Sequence, residues 1–458
     1  GRSPLSAYER KRLKNITENA KFFAALQLHE VSARLQQITT KRQSSVTKRA
    51  KPKKAEEEPA RRRSMRLQRV EPTGIATPEV FTQPIAEEYP QVPAGPLPML
   101  PEDQMGDSKL TEDLLAVWMS ISEVEANDET EKQVPDMERY QDSLDSMVLS
   151  EENIRKVVKS RVCSMAIHPS ESILFLAAGD KTGQIGLWNV DCRTEEGAHS
   201  FIPHNDAVNC MHFSPCNPAH LLSLSSEALR CGDVSRAVFD EIYRGEEMSS
   251  FDFLEGGAST AVVGQWNGGV VMVDRRTPGT SAELSADIGF RRTRTVHVHP
   301  VHKQYFMAAG SVDVAVYDVR YLKTSKNKPV SSLQGHTKSV ASAYFSPVTG
   351  HKVVTVCADD KLSVLWSVWK RDFLSCPCTP GGRSSLAVWD PKQEECFVVG
   401  SLVQPRRIEV FQDTGKLVHT LCNPDCLASV CSINVLHPSR NVLVGGNSSG
   451  RLHVFREE

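Results

Sequence analysis

Ala178-Gly179-Asp180-Lys181-Thr182-Gly183-Gln184-Ile185-Gly186-Leu187-Trp188 is the stretch that decides the fold. An apolar run precedes its Gly-Asp-Lys-Thr-Gly segment, and small and apolar residues alternate after it up to the tryptophan. Glycine and aspartate favour tight turns, because glycine adopts positive φ and aspartate bonds to its own backbone two residues on. Two strand-like runs around such a turn predict a β-hairpin.

The same hairpin plan recurs along the rest of the chain, at residues 263–274, 309–318, 357–366, 399–411 and 444–455. A degenerate copy lies at residues 223–234. A His, Ser or Asp followed by proline marks the units, and these prolines, which begin with Pro169 and end with Pro438, are 46, 85, 47, 44 and 47 residues apart. The longest gap holds two periods.

A period of about 40–45 residues is that of WD-repeat propeller blades, each a four-stranded sheet. Gly335-His336 and Leu365-Trp366 resemble the Gly-His…Trp-Asp signature of these repeats. The count gives seven units, at about 160–190, 204–238, 247–278, 291–322, 335–368, 384–418 and 429–457. We therefore predict an all-β fold, a seven-bladed WD-repeat β-propeller over residues 153–458 that closes into a ring and protects its strand edges.

The charge is distributed unevenly along the chain of 458 residues, although the formal net charge is only −2. Residues 1–40 carry a net +4 and residues 41–70 a net +9, whereas residues 71–101 carry −4, residues 102–152 carry −13 and the propeller carries +2. Such asymmetry is typical of interaction tails or of an arm that faces nucleic acid.

Three segments are predicted before the propeller. Residues 1–40 form an N-terminal helical arm, since apolar residues recur at helical spacing over Tyr8–Ile38. That helix either packs on its own domain or docks on another protein. Residues 41–101 are a disordered basic and then Pro-rich linker, in which the basic runs serve as a nuclear localisation signal, as a nucleic-acid patch or as a merely solvated linker. Residues 102–152 are an acidic linker with short helices, so the propeller is preceded by a helix and a largely disordered basic/acidic arm.

Several function classes find no support in the sequence. It contains no Gly-rich phosphate loop and no Gly-x-Ser-x-Gly elbow, so we expect no enzyme, no catalytic residues and no small-molecule substrate. All twelve cysteines lie between Cys163 and Cys431 without the paired Cys-x-x-Cys spacing of zinc sites, so we expect no metal, no cofactor and reduced thiols. No apolar run reaches membrane-spanning length and the first residues are polar, so we expect neither a membrane partner nor secretion.

Specific motifs resemble a family of WD-repeat proteins. They are Tyr8-Glu9-Arg10…Asn15-Ile16…Asn19-Ala20-Lys21-Phe22-Phe23, Ser164–Pro169, Gly179–Gly183, Asp274-Arg275-Arg276 and Gly445–Gly450. The chain resembles the WD-repeat family that includes the second subunit of the damaged-DNA-binding complex, over both the arm and the propeller. The resemblance implies a nuclear, DNA-binding propeller that attaches to the Cullin-4 ubiquitin ligase through its large DDB adaptor.

Two sets of site residues follow from the resemblance. Adaptor binding in that family uses an Asp-x-Arg at the end of a WD-type hairpin, which implies Asp318 and Arg320, and also Asp274 and Arg276 one blade earlier. An aspartate beside an arginine presents a planar guanidinium fork, although it can also simply pin its own turn.

DNA binding in that family implies cations that neutralise phosphates. Arg161, Lys181 and Arg292 align with phosphate-contacting positions, and Arg294 with the pair Arg406 and Arg407 extends the patch. Each of these can equally be an ordinary solvated charge. One departure concerns residues 370–385, where the family carries a long aromatic hairpin that probes the lesion. Here the segment is rich in Cys, Pro and Gly, so we do not expect this chain to recognise a lesion by inserting an aromatic side chain between bases. The segment is either a functional loop or an atypical splice product.

Two functions remain open at this point. The first is a nuclear protein of the DNA damage response that recognises damaged or modified DNA or chromatin and serves as a substrate receptor of a Cullin-4–DDB ubiquitin ligase, with histones as a further partner. The second is a protein-interaction scaffold or histone-peptide reader whose propeller does not itself bind DNA. Binding of DNA by the propeller alone separates the two.

Overall fold

The computed structural model describes most of the chain after residue 91. The described residues are 17, 92–102, 108–123, 136–192, 197–277, 280–333, 336–358, 362–366, 372–376 and 386–457. The predicted helix over Tyr8–Ile38, apart from Thr17, and the basic arm lie outside them. So do most of residues 370–385, of which only residues 372–376 are described, as a strand.

Short elements precede the repeats. In chain order they are strand β1 (Leu97–Pro98), helix α1 (Ser108–Glu123), helix α2 (Met137–Asp145), strand β2 (Met147–Val148), a 3-10 helix (Glu151–Asn153) and strand β3 (Ile154–Lys156).

Six predicted units form complete blades, each an antiparallel sheet of four consecutive strands, to which β1 adds a fifth strand beside β11 in blade 2. Blade 1 has β4 (Val162–Ile167), β5 (Phe175–Asp180), β6 (Ile185–Asn189) and β7 (Ala198–Phe201); blade 2 has β8 (Cys210–Phe213), β9 (His220–Leu224), β10 (Ala228–Asp233) and β11 (Val238–Arg244). Blade 3 has β12 (Met248–Phe253), β13 (Thr260–Gln265), β14 (Gly269–Asp274) and β15 (Leu284–Asp287); blade 4 has β16 (Thr295–Val298), β17 (Tyr305–Ala309), β18 (Val314–Asp318), a 3-10 helix (Val319–Tyr321) and β19 (Ser331–Leu333). Blade 5 has β20 (Val340–Phe345), β21 (Lys352–Cys357), β22 (Leu362–Trp366) and β23 (Asp372–Cys376); blade 6 has β24 (Ala387–Asp390), β25 (Gln393–Ser401), β26 (Arg407–Gln412) and β27 (Leu417–Cys422).

The last predicted unit does not form a blade of its own. It supplies only β28 (Ile433–Leu436), β29 (Val442–Gly446) and β30 (Arg451–Glu457), and the outer edge of β30 pairs with β2 and β3. The prediction of a seven-bladed propeller is therefore wrong. In the described residues six blades are complete, and the remaining sheet is a composite that combines β2 and β3, from before the first blade, with β28, β29 and β30, from after the sixth. Among those residues the last repeat contributes three strands, and the outer edge of β30 is covered by β2 and β3, which come before the first repeat.

The first strand of each blade lies innermost, since these strands contact one another around the ring and β28 contacts β4. Because the strands are antiparallel, the loop that leads into the first strand and the turn between the second and third strands lie on one face, here called the upper face. The other two connections lie on the opposite, lower face. Backbone hydrogen bonds join upper-face segments of neighbouring blades, such as those from Val208 N to Asp180 O (2.9 Å) and from Val340 N to Ser311 O (3.0 Å).

The hairpin that opened the sequence analysis is confirmed as β5 and β6. Every residue of β5 is buried, because the middle strands of a blade are covered by blades on both sides. The turn requires glycine at Gly183, whose φ is 92° and where a Cβ would lie 2.0 Å from the carbonyl oxygen of His204. The Asp180 carboxylate accepts backbone N–H bonds from Thr182 (2.7 Å) and Gln184 (3.0 Å), which fixes the turn.

The described part of the segment before the repeats packs on the propeller, which corrects the prediction of a largely disordered arm for these residues. In α1, the fully buried Trp118 stacks on Phe175 (5.9 Å between ring centroids) and donates its indole N–H to the Pro218 carbonyl (3.0 Å). In α2, the Tyr140 hydroxyl donates to the buried Asp390 carboxylate of blade 6 (2.9 Å).

A buried arginine holds the segment around β1 against blade 2. Arg230 is 1% exposed and donates to the carbonyls of Gly95 (2.6 Å) and Pro93 (2.9 Å). Its charge is paired with Glu241 (3.0 Å). A buried charge that is paired and hydrogen-bonded costs little to keep, whereas leaving it unpaired costs several kcal/mol. The β1 segment is thus part of the folded domain.

Candidate nucleic-acid and partner interfaces

All six predicted DNA-binding cations lie on the upper face. Arg161 and the pair Arg292 and Arg294 stand in the loops that lead into β4 and β16, and Lys181 follows β5. Arg406 and Arg407 stand at the turn that leads into β26, whose other end is β25. The topology therefore places them on one face, in blades 1, 4 and 6.

Three of these cations are available for a partner. Arg161, Lys181 and Arg292 are exposed, and none of their side chains forms an ion pair with a residue that the structure describes. The first two are neighbours, since the Lys181 amide donates to the Arg161 carbonyl (3.0 Å). Exposed, unpaired cations on one face are what phosphate neutralisation requires.

The other three cations are held by the protein. Arg407 donates to the buried Glu409 (2.7 Å), and its side chain is only 28% exposed. Arg406 donates to the Leu402 carbonyl of its own turn. The guanidinium of Arg294 lies over a tryptophan ring. These side chains are placed for packing on the upper face more than for reaching phosphate.

That tryptophan is Trp266, a half-buried residue in the turn between β13 and β14 on the upper face. Its ring centroid lies 5.7 Å from the Arg294 guanidinium carbon, within the range of a cation–π contact. The sequence analysis included Trp266 only as part of a hairpin. An aromatic residue in place of a usual Gly, Asn or Asp in a turn was the signal that could have found it.

Further exposed cations fill the gaps between the predicted ones. Arg291 precedes β16, Lys338 precedes β20, and Arg451 begins β30 on the upper face. Together with the three available predicted residues they form a basic arc, here defined as Arg161, Lys181, Arg291, Arg292, Lys338 and Arg451, whose members lie in blade 1, the composite sheet and blades 4 and 5.

The upper-face loops of blades 2 and 3 carry a cluster of acidic residues. Asp206, Glu227, Glu246 and Glu247 are all exposed and lie in the upper-face loops of blades 2 and 3. We call these four residues the acidic arc. The upper face thus carries opposite charges on its two sides, which a near-neutral net charge for the whole propeller conceals.

The predicted adaptor-binding residues lie on the lower face. Asp318 ends β18 and is 5% exposed in its side chain, whereas the Arg320 side chain is 58% exposed. The Asp318 carboxylate accepts from the backbone N–H of Arg320 (3.0 Å), from its Nε (3.0 Å) and from its Nη2 (2.7 Å). These bonds lower the pKa of Asp318, so the carboxylate stays ionised and holds the guanidinium in a fixed, outward orientation.

The same fork recurs one blade earlier. Asp274 ends β14 and accepts from the backbone N–H (2.9 Å) and the Nη2 (2.6 Å) of Arg276, whose side chain is 69% exposed. Hydrogen bonds from Arg276 lower the pKa of Asp274 to about 2. Blade 2 has a third arginine at this level, because Asp233 at the end of β10 accepts from the Nε of Arg236 (2.8 Å). The sequence analysis missed it because the spacing is one residue longer.

Exposed apolar side chains lie on the same face as the Arg320 fork, and the Arg320 guanidinium carbon lies 5.8 Å from the Tyr321 ring centroid. Tyr321 is 74% exposed, Val301 57%, and Val330 and Val348 each 49%. All four stand in lower-face connections of blades 4 and 5. Exposed apolar side chains next to an oriented guanidinium are typical of a protein-binding surface.

Other kinds of site find no support in the described residues. There, no group of three or more His, Cys, Asp or Glu side chains is arranged to hold a metal ion. None of the helices in that same part of the chain has the length and apolar character to span a membrane.

Sequence comparison decides the family. WD repeat-containing protein 76 of Mus musculus is 50% identical over 470 residues, which cover 100% of this chain and 75% of the mouse protein. The chain belongs to the WD repeat-containing protein 76 family. No protein-family model matches the chain.

More distant relatives carry names that state a binding activity. DNA damage-binding protein cmr1 of Aspergillus oryzae is 23% identical over 537 residues, covering 99% of this chain and 100% of that protein. DNA damage-binding protein 2 of Oryza sativa is 26% identical over 329 residues, covering 64% of this chain and 54% of that protein. The family is thus one of WD-repeat proteins related to DNA damage-binding proteins.

Proposed function

We propose that this chain is a nuclear protein of the DNA damage response that binds damaged or modified DNA in chromatin and serves as a substrate receptor of a Cullin-4–DDB ubiquitin ligase. Phosphates lie on the basic arc of the upper face, where Arg161, Lys181 and Arg292 are exposed and form no ion pair with the residues that the structure describes. The large DDB adaptor binds the lower face through Arg320 and Arg276, each oriented by its aspartate.

The observation that carries this proposal is the opposition of the two surfaces. The basic arc lies in upper-face connections, whereas the Asp–Arg forks lie on the lower face, where the third strands β14 and β18 end. DNA and adaptor can then bind at the same time without competing. A receptor that brings a ligase to chromatin requires this arrangement, whereas a protein that binds either partner alone does not.

The test is binding of both partners by face-specific variants. Arg161→Glu with Lys181→Glu and Arg292→Glu should abolish DNA retention and leave recovery of the adaptor unchanged. Arg276→Ala with Arg320→Ala should do the reverse. Loss of both partners in either variant, with the fold intact by circular dichroism, contradicts the two-face proposal.

The acidic arc favours a second candidate function, a reader of basic peptides such as histone tails. Four exposed carboxylates in neighbouring blades attract lysine- and arginine-rich segments. The two functions are separated by a fragment that spans residues 91–458, since the described segment before residue 153 is part of the folded domain. DNA binding by this fragment supports the first function, and binding of a basic peptide without DNA binding supports the second.

A further inference from the structure

The innermost strands of four blades place titratable side chains around the axis of the ring. Cys210 and His212 lie on β8, Asp252 on β12, His297 on β16 and Tyr344 on β20. We call these five residues the axial cluster. An innermost strand has no hydrogen-bonded neighbour on its inner edge, so side chains that are solvent-accessible there face the axis. In β8, His212 is exposed and Cys210 is half-buried, whereas Met211 between them is buried.

Cys210 and His212 are in direct contact. The Cys210 Sγ lies 3.4 Å from the His212 Nε2, within hydrogen-bond distance for sulfur. The imidazole is held edge-on against Phe251, with 5.2 Å between ring centroids and planes 81° apart. The Cys210 thiol also lies 3.6 Å from the Phe251 carbonyl. The ring is therefore fixed in the position that directs its Nε2 at the sulfur.

We propose that Cys210 is a selectively reactive thiol, activated by His212, and that it is a modification site for small soft electrophiles, including hydrogen peroxide, that enter along the axis. The thiolate is the nucleophilic form of cysteine, and an adjacent imidazolium favours it. Access from solvent is provided at the same place, since the exposed His212 and the half-buried Cys210 share the axial surface.

The surrounding charges favour a protonated His212. The neighbouring strands desolvate the imidazole and lower the pKa of His212, although the residue is solvent-accessible, but Cys210 and Asp252 outweigh this effect and raise it to about 9. The other groups that face it from neighbouring strands do not compete for the proton: burial lowers the pKa of His297 and raises that of Tyr344. At neutral pH the axial cluster therefore holds a cation beside the sulfur.

The chemistry balances with these two residues and the electrophile. The His212 imidazolium holds on Nε2 the proton that the thiol has given up, and the thiolate sulfur attacks the electrophile. With iodoacetamide, an S–C bond forms, the C–I bond breaks and iodide leaves. With hydrogen peroxide, an S–O bond forms as the O–O bond breaks; the sulfur is oxidised to a sulfenic acid, and the leaving hydroxide takes the proton from His212 to become water.

The chain supplies internal controls for reactivity. Cys163 is half-buried on the innermost strand of blade 1, and burial raises the pKa of its thiol. Cys422 is exposed and lies within 3.6 Å of the Arg406 carbonyl, with no histidine among the partners that the structure describes for it. Exposure alone therefore predicts that Cys422 reacts first, whereas activation by His212 predicts Cys210.

The experiment is time-resolved labelling of the full chain with iodoacetamide at pH 7, followed by peptide mass spectrometry. We expect Cys210 to react at least about tenfold faster than Cys163 and no slower than Cys422, because an adjacent imidazolium favours the nucleophilic thiolate. His212→Gln, which keeps a polar side chain without a proton acceptor of similar basicity, should slow Cys210 by about tenfold and leave Cys422 unchanged.

Two results would overturn the proposal. One is a Cys210 rate in the wild-type chain no higher than that of Cys163. The other is an unchanged Cys210 rate in the His212→Gln variant. Should that variant fail to fold, the pH profile of the wild type decides: a Cys210 rate that falls below pH 8 in parallel with that of Cys422 shows an ordinary thiol and refutes activation.

Discussion

Salt dependence of DNA binding is the sharpest test of the basic arc. Arg161, Lys181 and Arg292 are exposed and form no ion pair with the described residues, so replacing each by alanine removes a cation with little effect on the fold. Each phosphate contact contributes about 0.9 to the slope of log affinity against log salt. Three lost contacts should therefore make the slope less negative by about 2.7.

The magnitude is large enough to measure. Raising salt from 50 to 200 mM should reduce the affinity advantage of the wild type over the triple variant by about 40-fold. Fluorescence anisotropy with a labelled duplex at four or five salt concentrations gives both slopes. Circular dichroism and the thermal midpoint of the variant show whether the propeller remains folded.

A matched control lies on the opposite face. Arg236, Arg276 and Arg320 are also exposed arginines, with side chains 58%, 69% and 58% accessible. Their triple alanine variant changes the net charge of the chain by the same amount and should leave the slope unchanged. Equal slope changes in the two triple variants would show that net charge governs binding, and the reasoning from a basic arc would be refuted.

Four further outcomes follow from the structure. Arg320→His removes the oriented guanidinium and should weaken adaptor binding by at least about tenfold, as for an arginine at the centre of an interface. Surface plasmon resonance measures this, and unaltered binding would contradict a role for Arg320 in adaptor binding. Trp266→Ala should lower affinity for single-stranded DNA by about tenfold, since stacking of a base on an aromatic ring contributes about 1–3 kcal/mol, and an equal loss for intact duplex argues against stacking. Tyr140→Phe leaves the buried Asp390 short of a donor and should cost about 1–3 kcal/mol in urea unfolding, while an unchanged midpoint contradicts a docked α2. The pKa of Asp274 in the fold, about 2, lies below its ordinary value, so its stabilising contribution is present above pH 4 and is lost as the pH falls towards 2. Asp274→Asn should therefore flatten the pH dependence of the unfolding free energy in that range. Acid titration of both proteins measures this difference.

The repeat part of the fold was predictable from local signals. The Asp180 turn was recognisable because the sequence contains the residue types that such a turn needs: a glycine, which can adopt positive φ, and an aspartate, which can accept hydrogen bonds from the turn. Composition also identified the units around it, since each hairpin needs similar turn chemistry. The composite sheet was not predictable, because β2 and β3 are only two and three residues long and lie among charges. Pairing of such short strands is decided by a distant edge that needs a partner.

The site shows a similar division. The resemblance implied one phosphate patch that includes Arg161 and Lys181, and the hairpin pattern places both on the same face of blade 1. Whether a cation is free does not follow from the pattern: Arg407 was predicted to face DNA, yet it pairs with Glu409 two residues later on the same side of β26. Alternation along the strand could have indicated that pair. The contact between Trp266 and Arg294 joins different blades, so no local signal reveals it.

The composite sheet has a consequence for how the protein is made. During synthesis β2 and β3 leave the ribosome before blade 1, but their partner β30 emerges only after every complete blade. Until then the nascent chain forms an incomplete ring with two unpaired strand edges. Such edges are where chaperones, or strands of other unfolded chains, can bind. Ring closure is therefore a late event that pairs strands about 300 residues apart, and a chain whose synthesis stops before β30 has complete blades but no closed ring.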